Sequence, residues 1–203
     1  MGYSQSQLPP LQIGVKVGVS SSVLARNLQP MPYSPRVAPS GGVAFQYLVS
    51  PLLALSAEAL YLQTGATNIG VSTSPVVSQN LAIHSVDIPV AVHFYPLGTN
   101  GLNAIPRVYA GHSVGLNFYA RGRNFTQVGT INETPILVQS TLNATSSYSL
   151  LNLGIVTGAG VLFHSDAGTF SIDLTYRLGY SDVSNKLGIS TTNSTIVMIG
   201  YWF

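Results

Sequence analysis

The chain has 203 residues, of which only eight are Lys or Arg and six are Asp or Glu, 7% in all, against 46% hydrophobic residues. An ordinary soluble domain carries about 25% charged residues, so this chain lacks the charge to cover a water-facing surface, and disorder, which needs high charge and few apolar residues, is excluded with it. A net charge of +2 leaves no basic footprint for nucleic acid, and the absence of Cys removes disulfides, thiolate metal sites and a cysteine nucleophile.

A membrane is the solvent that remains. In lipid only helices and closed barrels satisfy their own backbone. The uncharged run Val37 to Ala57 contains Pro39, Gly41, Gly42, Ser50 and Pro51, which is no spanning helix. A barrel needs segments of about ten residues alternating apolar and polar. The first segment does so without error: Leu11, Ile13, Val15, Val17 and Val19 on one face, Gln12, Gly14, Lys16, Gly18 and Ser20 on the other. A helix would scatter them around its circumference.

Seven further segments follow. Val43, Phe45, Tyr47 and Val49 form the apolar face of the second, and Leu53, Leu55, Ala57, Ala59 and Tyr61 that of the third, opposite Glu58. Leu60 and Leu62 break the third alternation and give it a partly helical look. The fourth sets Val86, Ile88, Val90, Val92 and Phe94 against Asp87, Pro89, Ala91 and His93. Leu81 and Ile83 are out of phase with it, which predicts a bulge near Ser85. Pro89 cannot donate a ladder hydrogen bond and predicts an edge or bulged position. In the fifth, Val108, Ala110, Val114, Leu116 and Phe118 oppose Arg107, Tyr109, Gly111, Ser113, Gly115 and Asn117, with His112 in the outward row. The sixth runs from Leu151 to Phe163, the seventh from Phe170 to Tyr180 with Asp173 and Arg177 opposite, and the eighth from Val197 to Phe203.

Which face lines the interior separates a soluble barrel from a membrane barrel. Three features assign the polar face to the lumen. It is rich in glycine (Gly14, Gly18, Gly111, Gly115, Gly154, Gly158, Gly160, Gly179, Gly200). Its charges balance, with Lys16, Arg107 and Arg177 against Glu58, Asp87 and Asp173. The apolar face instead carries aromatics at its ends, Tyr47, Phe94, Phe163, Phe170 and Phe203 at one rim and Tyr61, Phe118 and Tyr180 at the other, as in an aromatic girdle. The sequence thus predicts an all-β, eight-stranded, up-and-down antiparallel transmembrane β-barrel over residues 11–203, preceded by a lead-in over 1–10. Short connections alternate with long ones at 21–40, 64–80, 121–149 and 181–194. Because outer-membrane barrels keep short turns periplasmic and long loops external, both termini are expected in the periplasm.

The chain resembles the PorT-type, small eight-stranded outer-membrane β-barrel proteins of Bacteroidetes. The resemblance is carried in order by Ile13-Gly-Val-Lys-Val-Gly18, Ala57-Glu-Ala-Leu-Tyr-Leu-Gln-Thr-Gly65, Val86-Asp-Ile-Pro-Val90, Tyr109-Ala-Gly111, Gly154 to Gly160, Ile172-Asp-Leu-Thr-Tyr-Arg177 and Gly179. It implies the fold and an outer-membrane location, with little about activity. The alternate apolar residues Val197, Ile199, Tyr201 and Phe203 look like the C-terminal signal read by barrel-assembly machinery during insertion. Small barrels also serve as subunits of secretion, uptake and barrel-assembly complexes, so other outer-membrane proteins are expected partners beside lipid.

Candidate chemistry is sparse. An eight-stranded barrel is just wide enough for its own side chains, so Lys16, Glu58, Asp87, His93, Arg107, Asp173 and Arg177 read as a lumen charge network that plugs the barrel, helped by Trp202, Tyr109 and Tyr119. His84-Ser85, His112-Ser113 and His164-Ser165 cannot form their own dyads, because neighbours on a strand face opposite ways. Separated histidines give no metal spacing, and no catalytic, cofactor or metal site is expected. The segment 121–149 is the candidate external contact through Ile131, Pro135, Ile136, Leu137 and Val138, since exposed apolar residues invite a partner. The expected function is a non-enzymatic structural or accessory barrel; a narrow passive channel and an enzyme modifying lipid A are the rivals. Met1 to Ser6 has no basic start or apolar core, so any signal peptide is expected to have been removed.

Overall fold

Residues 8–26, 29–30, 34–69, 76–99, 102–131, 134–165, 168–182 and 191–203 are described by the computed structural model. The strands are β1 (Leu11–Arg26), β2 (Gln29–Pro30), β3 (Ser34–Ser50), β4 (Leu53–Ile69), β5 (Val76–Phe94), β6 (Ala104–Ile131), β7 (Thr134–Asn143), β8 (Leu151–Ser165), β9 (Gly168–Gly179) and β10 (Thr191–Trp202). Eight of them, β1, β3, β4, β5, β6, β8, β9 and β10, are antiparallel to their neighbours, and β10 pairs back onto β1 to close the ring. Closure leaves no unpaired edge within the eight-stranded ring, the one way a sheet can sit in lipid. β2 and β7 are spurs on β1 and β6. Among the described residues the one short helix is a single 3-10 turn, Thr145–Ser147.

The alternation read from the sequence is inside out relative to a soluble barrel. Val17 is 66% exposed and Lys16 beside it is 3% exposed. Leu11, Ile13, Val15 and Val19 are exposed with Val17, whereas Gln12, Gly14, Lys16 and Ser20 are buried. The same holds on β5, where Ile88, Val90, Val92 and Phe94 face out and Asp87, Ala91 and His93 face in. Val17 pairs with Ile199 near mid-wall. Val17→Arg is expected to lower the unfolding free energy in bilayers by about 2–4 kcal/mol, read by urea titration in vesicles, while Thr195→Arg, nearer the rim, costs less.

Two expectations about β5 are corrected. The irregularity does fall at His84/Ser85, but the extra residue is Phe118 on β6: His84 pairs with Tyr119 and Ser85 with Asn117. β5 itself keeps phase, so Leu81 and Ile83 point inward with Ser85 and Asp87 and are buried. The skipped residue turns Tyr119 outward, 38% exposed, so it is not a lumen residue. Pro89 occupies neither an edge nor a bulge. It sits in a closed wall opposite Ser113, and the β4–β5 ladder passes from Ala57↔Val90 to Leu60↔Asp87 around it. The segment with Leu60 and Leu62 is strand throughout, and both leucines point into the lumen.

The expected long loops are in large part strand. β1 continues to Arg26, β3 starts at Ser34, β4 runs to Ile69, and β6 and β7 form a paired hairpin from Arg121↔Asn143 to Ile131↔Thr134. These hairpins extend one end of the barrel. The other end carries the tight turns, with both described chain ends beside them. At the β3–β4 turn Ser50 Oγ accepts hydrogen bonds from the N–H groups of Leu52 (3.3 Å) and Leu53 (3.2 Å). The first seven residues of the 1–10 lead-in and residues 183–190 of the 181–194 connection lie outside the described residues.

Candidate functional site: the barrel interior

Strand alternation delivers polar side chains from every wall to one axis. Asp173 on β9 is the hub of the lower network. Arg107 on β6 grips its carboxylate at both oxygens, Nη2 to Oδ1 at 2.7 Å and to Oδ2 at 2.8 Å, with Nε to Oδ1 at 3.1 Å. Lys16 Nζ lies 3.2 Å from Asp173 Oδ2 and 2.6 Å from Glu58 Oε1. Ser171 Oγ donates to Asp173 Oδ2 at 3.1 Å and accepts from Trp202 Nε1 at 3.0 Å. Arg107 Nη1 donates to Gln46 Oε1 at 2.8 Å, and the Gln46 amide donates to Gln12 at 3.0 Å. Lys16 and Arg107 both lie over the Trp202 ring, 5.4 and 5.5 Å from its centroid.

A second network sits nearer the hairpins. Arg177 Nε reaches Asp87 Oδ1 at 3.1 Å and Ser113 Oγ at 2.9 Å, and its Nη2 donates to the Asn152 carbonyl at 3.1 Å. The two lumen guanidiniums, of Arg107 and Arg177, are therefore both ion-paired and hydrogen-bonded, which a charge removed from water requires.

Glycine sets how closely this interior packs. Gly160 pairs with Asp173 and Gly158 faces the Tyr109 ring, and a Cβ at either would run into those side chains. A Cβ at Gly14 would stand 2.8 Å from the Trp202 ring. The lumen glycines are seats for the large residues opposite them.

Apolar clusters cap both networks. Leu8, Ala44, Ala54, Tyr95, Ile105, Leu162 and Trp202 pack at the turn end. Leu24, Ala66, Leu81, Ile83 and Ala120 pack toward the hairpins, with Ala144 and Tyr148 against them. Between the caps, the hollow bordered by Ser56, Glu58, Asp87, His93 and Tyr109 measures only 20 Å³, room for about one water.

Of the predicted lumen residues, Lys16, Glu58, Arg107 and Asp173 share the lower network, and Asp87 and Arg177 form the upper. His93 joins neither by an ion pair. It hydrogen-bonds Ser56 through Nε2 at 2.8 Å and stacks on Tyr109 at 4.7 Å. A Ser–His pair is the start of a hydrolytic constellation, but His93 Nδ1 has no hydrogen-bond partner to orient it, and the pair is sealed in the lumen. His112 faces outward between Val90 and Ile155, with no nucleophile opposite it. Among the described residues no cluster of His, Asp and Glu could hold a metal.

Val197, Ile199 and Phe203 are exposed on the wall, and the Tyr201 ring lies 4.9 Å from Phe203 and 5.0 Å from Phe170. Val138 is exposed on the β6–β7 hairpin; the side chains of Ile131, Pro135, Ile136 and Leu137 lie outside the described residues. Sequence reasoning missed the apolar cap formed by Leu81 and Ile83. Unbroken odd-numbered phase from Leu81 to His93 was the signal for it.

Comparison with known proteins agrees with this architecture. The family model described as "Outer membrane protein beta-barrel domain" matches residues 3–185. Among solved structures, the outer membrane protein OprG from Pseudomonas aeruginosa is similar at 11% identity and TM-score 0.52, with 95% of each chain covered. Ail, the attachment invasion locus protein of Yersinia pestis, is similar at 12% identity and TM-score 0.45, covering 95% of this chain and 98% of its own. The Neisserial surface protein A aligns at 13% identity and TM-score 0.46 over 96% of both chains. Comparison with curated proteins finds no match.

Proposed function

The chain belongs to the outer membrane protein beta-barrel domain family, and from that premise we propose that it is a non-enzymatic accessory barrel of a larger outer-membrane assembly, working through its hairpins and lipid-facing wall. One observation carries this reading: the interior is filled. Two hydrogen-bonded charge networks lie between apolar caps around a 20 Å³ hollow, and this packing of the described residues argues against a path for a solute. What such a barrel offers other molecules is its outside.

The finer placement follows the resemblance to PorT-type proteins of Bacteroidetes: termini in the periplasm, hairpins external, and a role beside secretion, uptake or barrel-assembly subunits. The β6–β7 hairpin is the proposed contact, through Ile131, Pro135, Ile136, Leu137 and Val138. Exposed Val128, Val138 and Leu142 support it, because they are apolar residues on a projecting ribbon. The outward row Val197, Ile199, Tyr201 and Phe203 is proposed as the surface that barrel-assembly machinery engages during insertion.

In planar bilayers the purified barrel is expected to be silent. Steady conductance that changes with Arg177→Gln would replace this reading with the narrow channel. A photocrosslinker at Val138 in native membranes is expected to give one discrete heavier adduct, distinct from any formed at Val90 on the wall. Adducts equally diffuse at both positions would count against a hairpin partner.

A further inference from the structure

On the outer wall, where the hairpins begin, lies a cavity of 160 Å³ that the lumen does not explain. Three of the chain's eight cationic Lys and Arg residues, Arg36, Arg121 and Arg123, line it together with His84, Gln63 and Asn80. The strand register shows why a hollow forms there. Gly65 on β4 pairs with Ala82 on β5, so these two strands carry nothing longer than a methyl at that level. Arg121 pairs across from Ala82 and Arg123 across from Asn80, one residue row apart on the same face. Arg36 reaches in from the β3–β4 seam, whose pairing is interrupted between Pro35 and Gly41, where Pro39 has no N–H to donate.

The pocket's chemistry is one-sided. Among the described residues no carboxylate lines it, and the ion pairs formed by Asp87, Asp173 and Glu58 are all in the lumen. Nε of Arg36 and Nε of Arg121 are buried with no hydrogen-bond partner. Like charges gathered with unsatisfied donors repel unless an anion joins them. The guanidinium fork suits the oxygens of a phosphate group. At 160 Å³ the hollow is smaller than the ~300–1,000 Å³ of sites for drug-sized ligands, so it fits one charged group of a larger molecule.

Its height on the wall identifies the source of that group. Immediately toward the apolar band, His84 is held by the Tyr61 hydroxyl at 2.7 Å and the Gln63 amide at 3.1 Å, and its ring lies 5.4 Å from Tyr119 and 6.3 Å from Phe118. Such an outward aromatic layer marks the headgroup level. From His84 to Phe94 β5 advances ten positions, about 26 Å for a strand tilted ~40°, close to the ~25 Å apolar band of outer-membrane barrels. The pocket lies just past that band.

We infer that this pocket binds a phosphate group, supplied by the headgroup of an anionic lipid in the adjoining leaflet, with Arg36, Arg121 and Arg123 as its ligands and the lipid chains lying along the wall below. The full chain is to be reconstituted in phosphatidylcholine nanodiscs with and without phosphatidic acid, and the lipid retained read by native mass spectrometry. Inorganic phosphate is titrated separately into the phosphatidylcholine discs and followed by phosphorus NMR. Wild type is expected to retain phosphatidic acid at least tenfold better than either Arg121→Gln/Arg123→Gln or Ala82→Phe, which fills the hollow and keeps every charge. Heat-modifiable migration on a gel verifies folding, and the exposed Arg123→Gln alone replaces the double variant if that one does not fold. Phosphate binding that is lost in the same variants would support the site and make the free ion its source. Retention of phosphatidic acid unchanged in Ala82→Phe would overturn the pocket in favour of diffuse charge attraction, and failure of wild type to hold either probe would overturn it altogether.

Discussion

Asp173→Ala is expected to destabilise the barrel by about 3–5 kcal/mol, the usual consequence of removing one partner from a buried ion pair. Its carboxylate is shared by Arg107 and Lys16. Without it Lys16 keeps Glu58, but Arg107, 1% exposed, keeps the Gln46 oxygen and the faces of Trp202 and Tyr109 and no carboxylate. The loss comes from the uncompensated guanidinium more than from the bond itself. Asp173→Asn should cost less, since an amide oxygen still accepts from Arg107. The double variant Arg107→Met/Asp173→Leu should regain much of the loss, because apolar side chains of similar volume need no partner. Urea titration in vesicles reads all three, with Trp202 fluorescence as the local reporter, since both Lys16 and Arg107 lie over its ring. A double variant no more stable than Asp173→Ala would show that the network holds the lumen by geometry that apolar packing cannot replace.

How much of this was readable from the chain alone depended on parity. A strand has two faces, so the alternation around Val17 or Val90 fixes which residues meet lipid, and the balanced charges of the other face fix the lumen. Parity says nothing about which lumen charges meet, because that depends on the stagger between strands. Asp173 lies 66 positions from Arg107 along the chain, and Arg177 lies 90 from Asp87. It also fails where apolar residues face inward. Leu60, Leu62, Leu81 and Ile83 look like faults in the pattern when the lumen is assumed polar, yet they are buried there as the apolar fill of a narrow interior. Loop composition misled for a related reason. Ser, Thr and Asn beyond Ser21 and Thr64 suit a ribbon that has left the lipid and still pairs with its neighbour. The arginine pocket was out of reach, since Arg36, Arg121 and Arg123 come together only through a seam opened in β3 and a residue skipped on β6.

The last strand carries two separable demands, and Trp202 belongs to only one of them. Its side chain is the largest fully buried one in the lumen, pairs across from Gly14, and donates to Ser171 beneath the Asp173 hub. Trp202→Ala is expected to cost about 3–5 kcal/mol, since the fixed backbone ring cannot collapse onto the void. The cavity would open directly beneath Arg107 and Lys16 and admit water to the lower network, so the unfolding slope and the conductance in planar bilayers should both be measured. Trp202→Phe keeps a ring under the two cations and loses the indole donor, and should recover more than half of the loss. One position further on, Phe203 is 71% exposed and faces away from the lumen. Phe203→Ala should leave urea stability within about 0.5 kcal/mol of wild type and, on the proposed role of the outward row, lower the yield of barrel inserted in cells. Opposite outcomes for neighbouring residues are what a two-faced strand requires. Equal stability losses at both positions would mean that the C-terminal aromatic is held by packing, and that the outward row is not reserved for assembly.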